Sequence, residues 1–226
     1  MTMKKKIVIV ALVVCIFAMS IASATLAYFT DTEGATNTFT IGNVDIKLSA
    51  IGADGNVAEV NDEDANSNPL SIVNENVYPT QVIAKDATIT NIANDAAYVA
   101  GIIEISGINA LLVDDTAVKA FLTGGALNAT SGYATKIVPG TDSIKVYIIA
   151  EAAIGATGTV VLFEDIKVSN AWNNAQMQVF KNCVIDIKAY ATQTAGMDND
   201  QDTVANDGVY AIKAAFNSEF GSIAFN

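Results

Sequence analysis

The stretch VIDIKAYA, Val184 to Ala191, sets Ile185, Ile187, Ala189 and Ala191 on one side of an extended chain and Asp186, Lys188 and Tyr190 on the other. Side chains alternate across a strand, so this spacing predicts a β-strand with one apolar and one polar face. SIKVYIIA (143–150) and TVVLFEDIKV (159–168) repeat the period. KDATITNIA (85–93) sets Ala87 and Ile89 against Asp86, Thr88 and Thr90. AYVAGIIEI (97–105) follows after the turn-like Asn94–Ala96, and the two segments read as an antiparallel hairpin. In TFTIGNVDIKL (38–48), Phe39 and Ile41 share a face with Val44, Ile46 and Leu48 after a one-residue slip at Gly42–Asn43, which reads as a β-bulge. Strands that are apolar on one face only must bury it against a second sheet. The expected fold is all-β, a jelly-roll-type β-sandwich of two antiparallel sheets with a few short helices in the connections.

Three segments break the strand period. In DDTAVKAFLTGG (114–125), Asp115 is an N-cap candidate, Val118, Phe121 and Leu122 share a helical face, and Gly124 can close the helix. SNAWNNAQMQVFKN (169–182) predicts a short helix whose Trp172, Met177 and Phe180 cover one end of the sandwich. DGVYAIKAAFNSEFG (207–221) puts Asp207 ahead of Val209, Ile212 and Phe216 at helical spacing, with Gly221 after them. GADGNVAEVNDEDANSN (52–68) has few large apolar residues and many acids and amides, and reads as a solvated acidic loop.

At the N-terminus, Lys4, Lys5 and Lys6 precede an apolar run from Ile7 to Ala24, the pattern of an export signal. The run is also long enough for a retained membrane anchor. The small residues Ala22, Ser23, Ala24 and Ala27 favour cleavage, after Ala24 or after Ala27. Val14, which precedes Cys15, is too large for a lipoprotein site. The chain carries 12 basic and 24 acidic residues, a net charge of −12, and loss of the three N-terminal lysines takes it to −15. That field repels phosphate backbones and anionic lipid heads, which argues against nucleic acid as a partner. Cys183 is left without an intrachain partner once the signal is removed, so the fold has to stand without a disulfide.

Three blocks, LAYFTDTEGATNTFTIGNVDIKL (26–48), VYPTQVIAKDATITNIANDAAYV (77–99) and VSNAWNNAQMQVFKNCVIDIKAYATQT (168–194), fall in the order and rough spacing seen in the TasA/camelysin family. The chain resembles that family of exported proteins with a SipW-type signal peptide; Thr80 stands where a glycine is expected after Pro79. The resemblance implies cleavage between Ala27 and Tyr28, a signal peptide over 1–27 and a jelly-roll domain over 28–226. It also implies a secreted subunit, located in an extracellular matrix or at the cell surface, that polymerises with itself into biofilm-matrix fibres. Signal peptidase would be a partner during export, and the membrane would be met only through the uncleaved signal.

In that family, an N-terminal segment of one subunit adds a strand to the next. Here the donor would lie within 28–42, with Tyr28, Phe29, Phe39 and Ile41 as apolar plugs. The same strand could instead pair within its own sandwich.

Some relatives of this family are described as cell-surface metallo-endopeptidases. The chain contains no histidine, which removes HExxH zinc sites, Ser-His-Asp triads and Cys-His pairs, so an enzyme is not expected. Asp198, Asp200 and Asp202 alternate like the first half of an EF-hand, but Thr203 replaces the required glycine and Val209 the bidentate glutamate. What remains is a looser Ca²⁺ candidate that would offset repulsion between acidic subunits. A polysaccharide-binding surface module is the third alternative, with Tyr78, Tyr133, Tyr147, Tyr190 and Trp172 as stacking candidates and Asn128-Ala129-Thr130 as a lone sequon.

Overall fold

The structure, a computed structural model, describes residues 30–34, 44–52, 55–60, 70, 77–194 and 207–225. The strands are β1 Thr30–Gly34, β2 Ile46–Ile51, β3 Val57–Glu59, β4 Val82–Asn91, β5 Ala97–Ser106, β6 Leu122–Thr123, β7 Tyr133–Pro139, β8 Ser143–Ala150, β9 Thr159–Lys167 and β10 Val184–Gln193. The helices are α1 Asp115–Phe121, α2 Asn174–Phe180, α3 Asp207–Ala215 and α4 Asn217–Phe220. Sheet I has the order β1-β10-β5-β8-β7 and sheet II the order β3-β2-β4-β9-β6, and every pairing is antiparallel. The pairs β1/β10, β4/β9 and β5/β8 are nested, an early strand always matched with a late one. This is how a jelly roll winds. β7 departs from the pattern by staying beside β8 in sheet I.

The alternation in β10 carries directly into packing. Ile185, Ile187, Ala189 and Ala191 are buried between the sheets, where they join Ile103, Ile105, Val146 and Ile148 of sheet I and Leu48, Ile89, Leu162 and Ile166 of sheet II. Gly101 of β5 makes room for this layer, since a Cβ there would stand 2.8 Å from a methyl of Leu162. Cys183, at the head of β10, is buried as a small hydrophobe.

A second apolar layer lies on the outer face of sheet I. Tyr98, Ile102, Tyr147, Ile149 and Tyr190 are covered there by Ile212 of α3 and by Phe216 and Phe220. Ring centroids of Tyr190 lie 5.1 Å from both Phe216 and Phe220, and Tyr147 lies 5.7 Å from Phe220, all edge to face. The reading of Tyr190 as part of a polar face is therefore corrected: the C-terminal helices turn the middle of that face into core.

β4 and β5 are not a hairpin. Each lies in a different sheet, β4 between β2 and β9 and β5 between β10 and β8. Every residue of β5 from Ala97 to Ile103 is buried, which suits the centre of a sheet covered on both sides rather than a hairpin with one wet face. Residues 92–96 form an arch from one sheet to the other. Asn91, fully buried, holds it: its Nδ2 donates to the carbonyls of Asp95 (2.8 Å), Ile154 (3.2 Å) and Gly155 (3.2 Å), and its Oδ1 accepts from the Ala93 amide (3.1 Å).

Three local readings are also corrected. Asp114, not Asp115, caps α1, because its side chain is the one that reaches the amide of Ala117, at 2.7 Å. The helix stops at Phe121, Leu122 enters β6, and Gly124 serves the following turn with φ +74°. Within the acidic 52–68 segment, Val57–Glu59 form β3 against β2. In β4 a register shift surrounds Lys85 and Asp86, and the Lys85 side chain is fully buried.

The sandwich has two distinct ends. The arch end gathers Asn91, Ala97, Gln193 and the start of β1, since Thr30 faces Thr192 and Gln193 faces Ala97. The helix end gathers Val82, Lys167, Ser106 and Val184, with α1 and α2 in the connections.

Candidate assembly edge and end cleft

β1 forms one border of sheet I. Its register on β10 runs from Thr30↔Thr192 to Gly34↔Lys188, so its five residues pair along part of a ten-residue neighbour. Among the described residues β10 is its only strand partner. Residues 30–34 of the expected donor segment thus pair within their own sandwich. Tyr28, Phe29, Phe39 and Ile41 lie outside the described residues, as do the Ala27–Tyr28 cleavage site and the Gly42–Asn43 bulge. Asp198, Asp200 and Asp202 also lie outside them, and among the described residues no three His, Cys, Asp or Glu side chains are grouped to hold a metal. No helix among those residues is long and apolar enough to cross a membrane.

The helix end carries a half-open cleft of about 580 Å³. Leu111, Leu112, Phe121 and Trp172 form its apolar lining, and Thr80, Thr123, Lys167, Ser169 and Asn170 its polar part. Trp172 rests against Phe121 (6.2 Å between centroids) and Phe180 (5.5 Å), which are both buried. Its position follows from the start of α2. Asn173 accepts from the Gln176 amide at 3.0 Å while Gln176 Oε1 accepts from the Asn173 amide at 2.9 Å, a reciprocal cap that fixes the chain just after the indole.

Thr80 reaches the cleft from a tight turn, with φ +72° and its amide donating to the Val168 carbonyl at 3.1 Å. A β-branched residue is strained in that region of backbone space. Thr80→Gly is expected to raise stability by about 1 kcal/mol, measured as an upward shift of the urea midpoint.

The other candidates separate clearly. Tyr147 and Tyr190 are buried, Tyr133 and Trp172 are half-buried, and Tyr78 is exposed, so the five aromatics form no common stacking face. In the sequon, Asn128 Nδ2 already donates to the carbonyls of Leu122 (2.8 Å) and Gly124 (3.2 Å), and a glycan there would leave it one hydrogen for the two bonds. The Asp165 carboxyl is held above its ordinary range by partial burial and then by Glu164 and Asp86, all beside the β4 bulge.

Burial pushes the Cys183 thiol from 9.0 up to about 12. Burial, then Glu219 and Tyr147, push the Tyr190 hydroxyl up from 10.0. Both groups stay neutral in the fold while the unfolded chain ionises. The stability they give is therefore complete below about pH 9 and is lost as pH rises toward 12. A series of denaturation midpoints from pH 8 upward is expected to fall, and Cys183→Ala is expected to flatten the fall between pH 9 and 12.

By fold the chain is an antiparallel β-sandwich in which the first of the described strands forms one border of sheet I. Comparisons with protein-family models, curated proteins and solved structures each find no match. The cleft is what the sequence reading missed. Its two sides, VYPTQ and the Trp172 segment, are each visible as motifs, but 92 positions separate Thr80 from Trp172 and nothing local joins them.

Proposed function

We propose that this chain is a secreted structural subunit that polymerises into an extracellular matrix fibre by passing its N-terminal strand to the next copy. The observation that carries the reading is β1: a five-residue border strand, the first of the described strands and paired to β10 alone among them. Such a strand contributes main-chain hydrogen bonds that an identical segment of another copy can supply in the same register. Exchange between copies then needs no new recognition surface, only release and rebinding. The resemblance of residues 26–48 to the TasA/camelysin family supports the same reading, as does the absence of histidine for hydrolytic sites.

The test is electron microscopy with size-exclusion chromatography on protein beginning at Tyr28 and on protein beginning at Asn43. Fibres from the first and none from the second are expected. Adding a peptide of residues 28–42 to the shorter form is expected to raise its melting temperature without restoring fibres, because the free peptide links no second subunit. Fibres from the shorter form, or monomers from both, would overturn the proposal.

A further inference from the structure

We infer that the helix-end cleft is a docking site for the aromatic pair Tyr28–Phe29 of another copy, the segment immediately before β1. The inference rests on the fibre reading above and adds the contact that would join successive subunits.

β1 begins at the arch end, where Thr30 faces Thr192, whereas Lys167 and Trp172 lie at the helix end. β10 spans most of that separation with ten residues, about 30 Å of strand. Two residues before Thr30 extend about 7 Å. With Thr30 at the arch end, two residues are too short a tether to reach the cleft of the same sandwich. In a head-to-tail stack the arch end of one sandwich meets the helix end of the next, and the pair then meets the cleft. The geometry is the same whether β1 pairs in its own sandwich or in a neighbour's, since the register fixes which end Thr30 marks. A heterologous contact of this kind does not close on itself and so grows a filament.

In a chain with 24 acids and 12 bases, the cleft is lined by one lysine, Lys167, and by no acid. The segment YFTDTEG (28–34) offers the complement, two aromatic rings followed by Asp31 and Glu33. The arch-end loops 91–97 and 151–158 bring Asp95 and Glu151 and no lysine. Phe121, Leu111 and Trp172 supply an apolar wall for the rings, and Lys167 a counter-charge for Asp31, one residue after Thr30.

Trp172 is the only tryptophan of the chain, so its emission reports the cleft directly. The experiment titrates the peptide YFTDTEG into dilute, monomeric protein beginning at Tyr28. A saturable change in Trp172 emission is expected, lost when both aromatics of the peptide are serine. It is expected to weaken about tenfold in Ala120→Glu and in Lys167→Glu. Ala120 is exposed on α1 at the cleft margin, and glutamate is a good helix former there, so the first variant keeps the fold. Absence of the change, equal binding of the serine peptide, or indifference to both substitutions would overturn the inference. Fibres grown by Ala120→Glu at the unmodified rate would remove the cleft contact and leave strand exchange standing. Peptide binding without fibres from any form would do the reverse.

Discussion

Replacing Asn91 with leucine is expected to cost about 3–5 kcal/mol, a large share of the 5–15 kcal/mol that holds a domain of this kind together. The size of the loss comes from what one buried amide does. Three carbonyls, of Asp95, Ile154 and Gly155, and the amide of Ala93 turn inward to meet it. Leucine fills a similar volume and removes all four bonds, at about 0.5–1.5 kcal/mol each, while Ile154, Gly155 and Ala93 keep their backbone partners, the amides of Ala97 and Gly158 and the carbonyl of Asp45. Because the Asn91 side chain ties the β4–β5 arch to the β8–β9 loop, the damage spreads to both sheets. Urea denaturation followed by circular dichroism would measure it. A loss under 1 kcal/mol would show that the arch is held by its own backbone.

Phe220→Ala is expected to cost about 3–5 kcal/mol through a different mechanism. Phe220 is fully buried and presents its ring to both Tyr147 and Tyr190. Truncation opens a cavity on the outer face of sheet I and removes two edge-to-face contacts at once. α4 is a four-residue helix, too short to persist without that anchor, so the C-terminal segment should undock before the sandwich melts. Hydrogen exchange is the suitable measurement. Amides of 207–220 should lose protection in the variant while those of β9, on the far sheet, keep theirs.

The two substitutions also mark the border of what the sequence disclosed. Period-two alternation is a property of one strand, and it placed β8, β9 and β10 within a residue or two because each has an inner face of mainly Ile, Val, Leu or Ala. Which strand lies next to which is not a property of one strand. KDATITNIA and AYVAGIIEI are adjacent in sequence and suited to a hairpin, and only the continuous burial of β5, with no polar face to spare, shows that it needs a sheet on one side and a helix on the other. Tyr190 failed for the same reason, since Phe216 and Phe220, which cover it, are distant in sequence.

The cap of α1 was legible to within one position. The pair Asp114-Asp115 offers two candidates, and the choice depends on a single hydrogen bond to Ala117. The border strand was visible as a Thr-rich segment, although its intramolecular partner was not. The cleft was invisible because it is made by the ends of elements whose sequences carry no shared period.

These parts form one physical account. An acidic sandwich with a covered outer face keeps its first strand at a border, and that strand's two ends point toward opposite poles of the molecule. Polymerisation requires that β1 leave one β10 and join another in the same register. The pair Gly34↔Lys188 tests this most directly, because the two positions face each other and Lys188 is exposed. With Cys183 changed to alanine, Gly34→Cys and Lys188→Cys are combined, fibres are grown and oxidised, and the products are separated on a non-reducing gel. A ladder of covalent oligomers is expected, each bond joining β1 of one chain to β10 of the next, collapsing to monomer on reduction. Fibres whose disulfides are all intramolecular would contradict it, since β1 would then remain at home while the filament grew by another route.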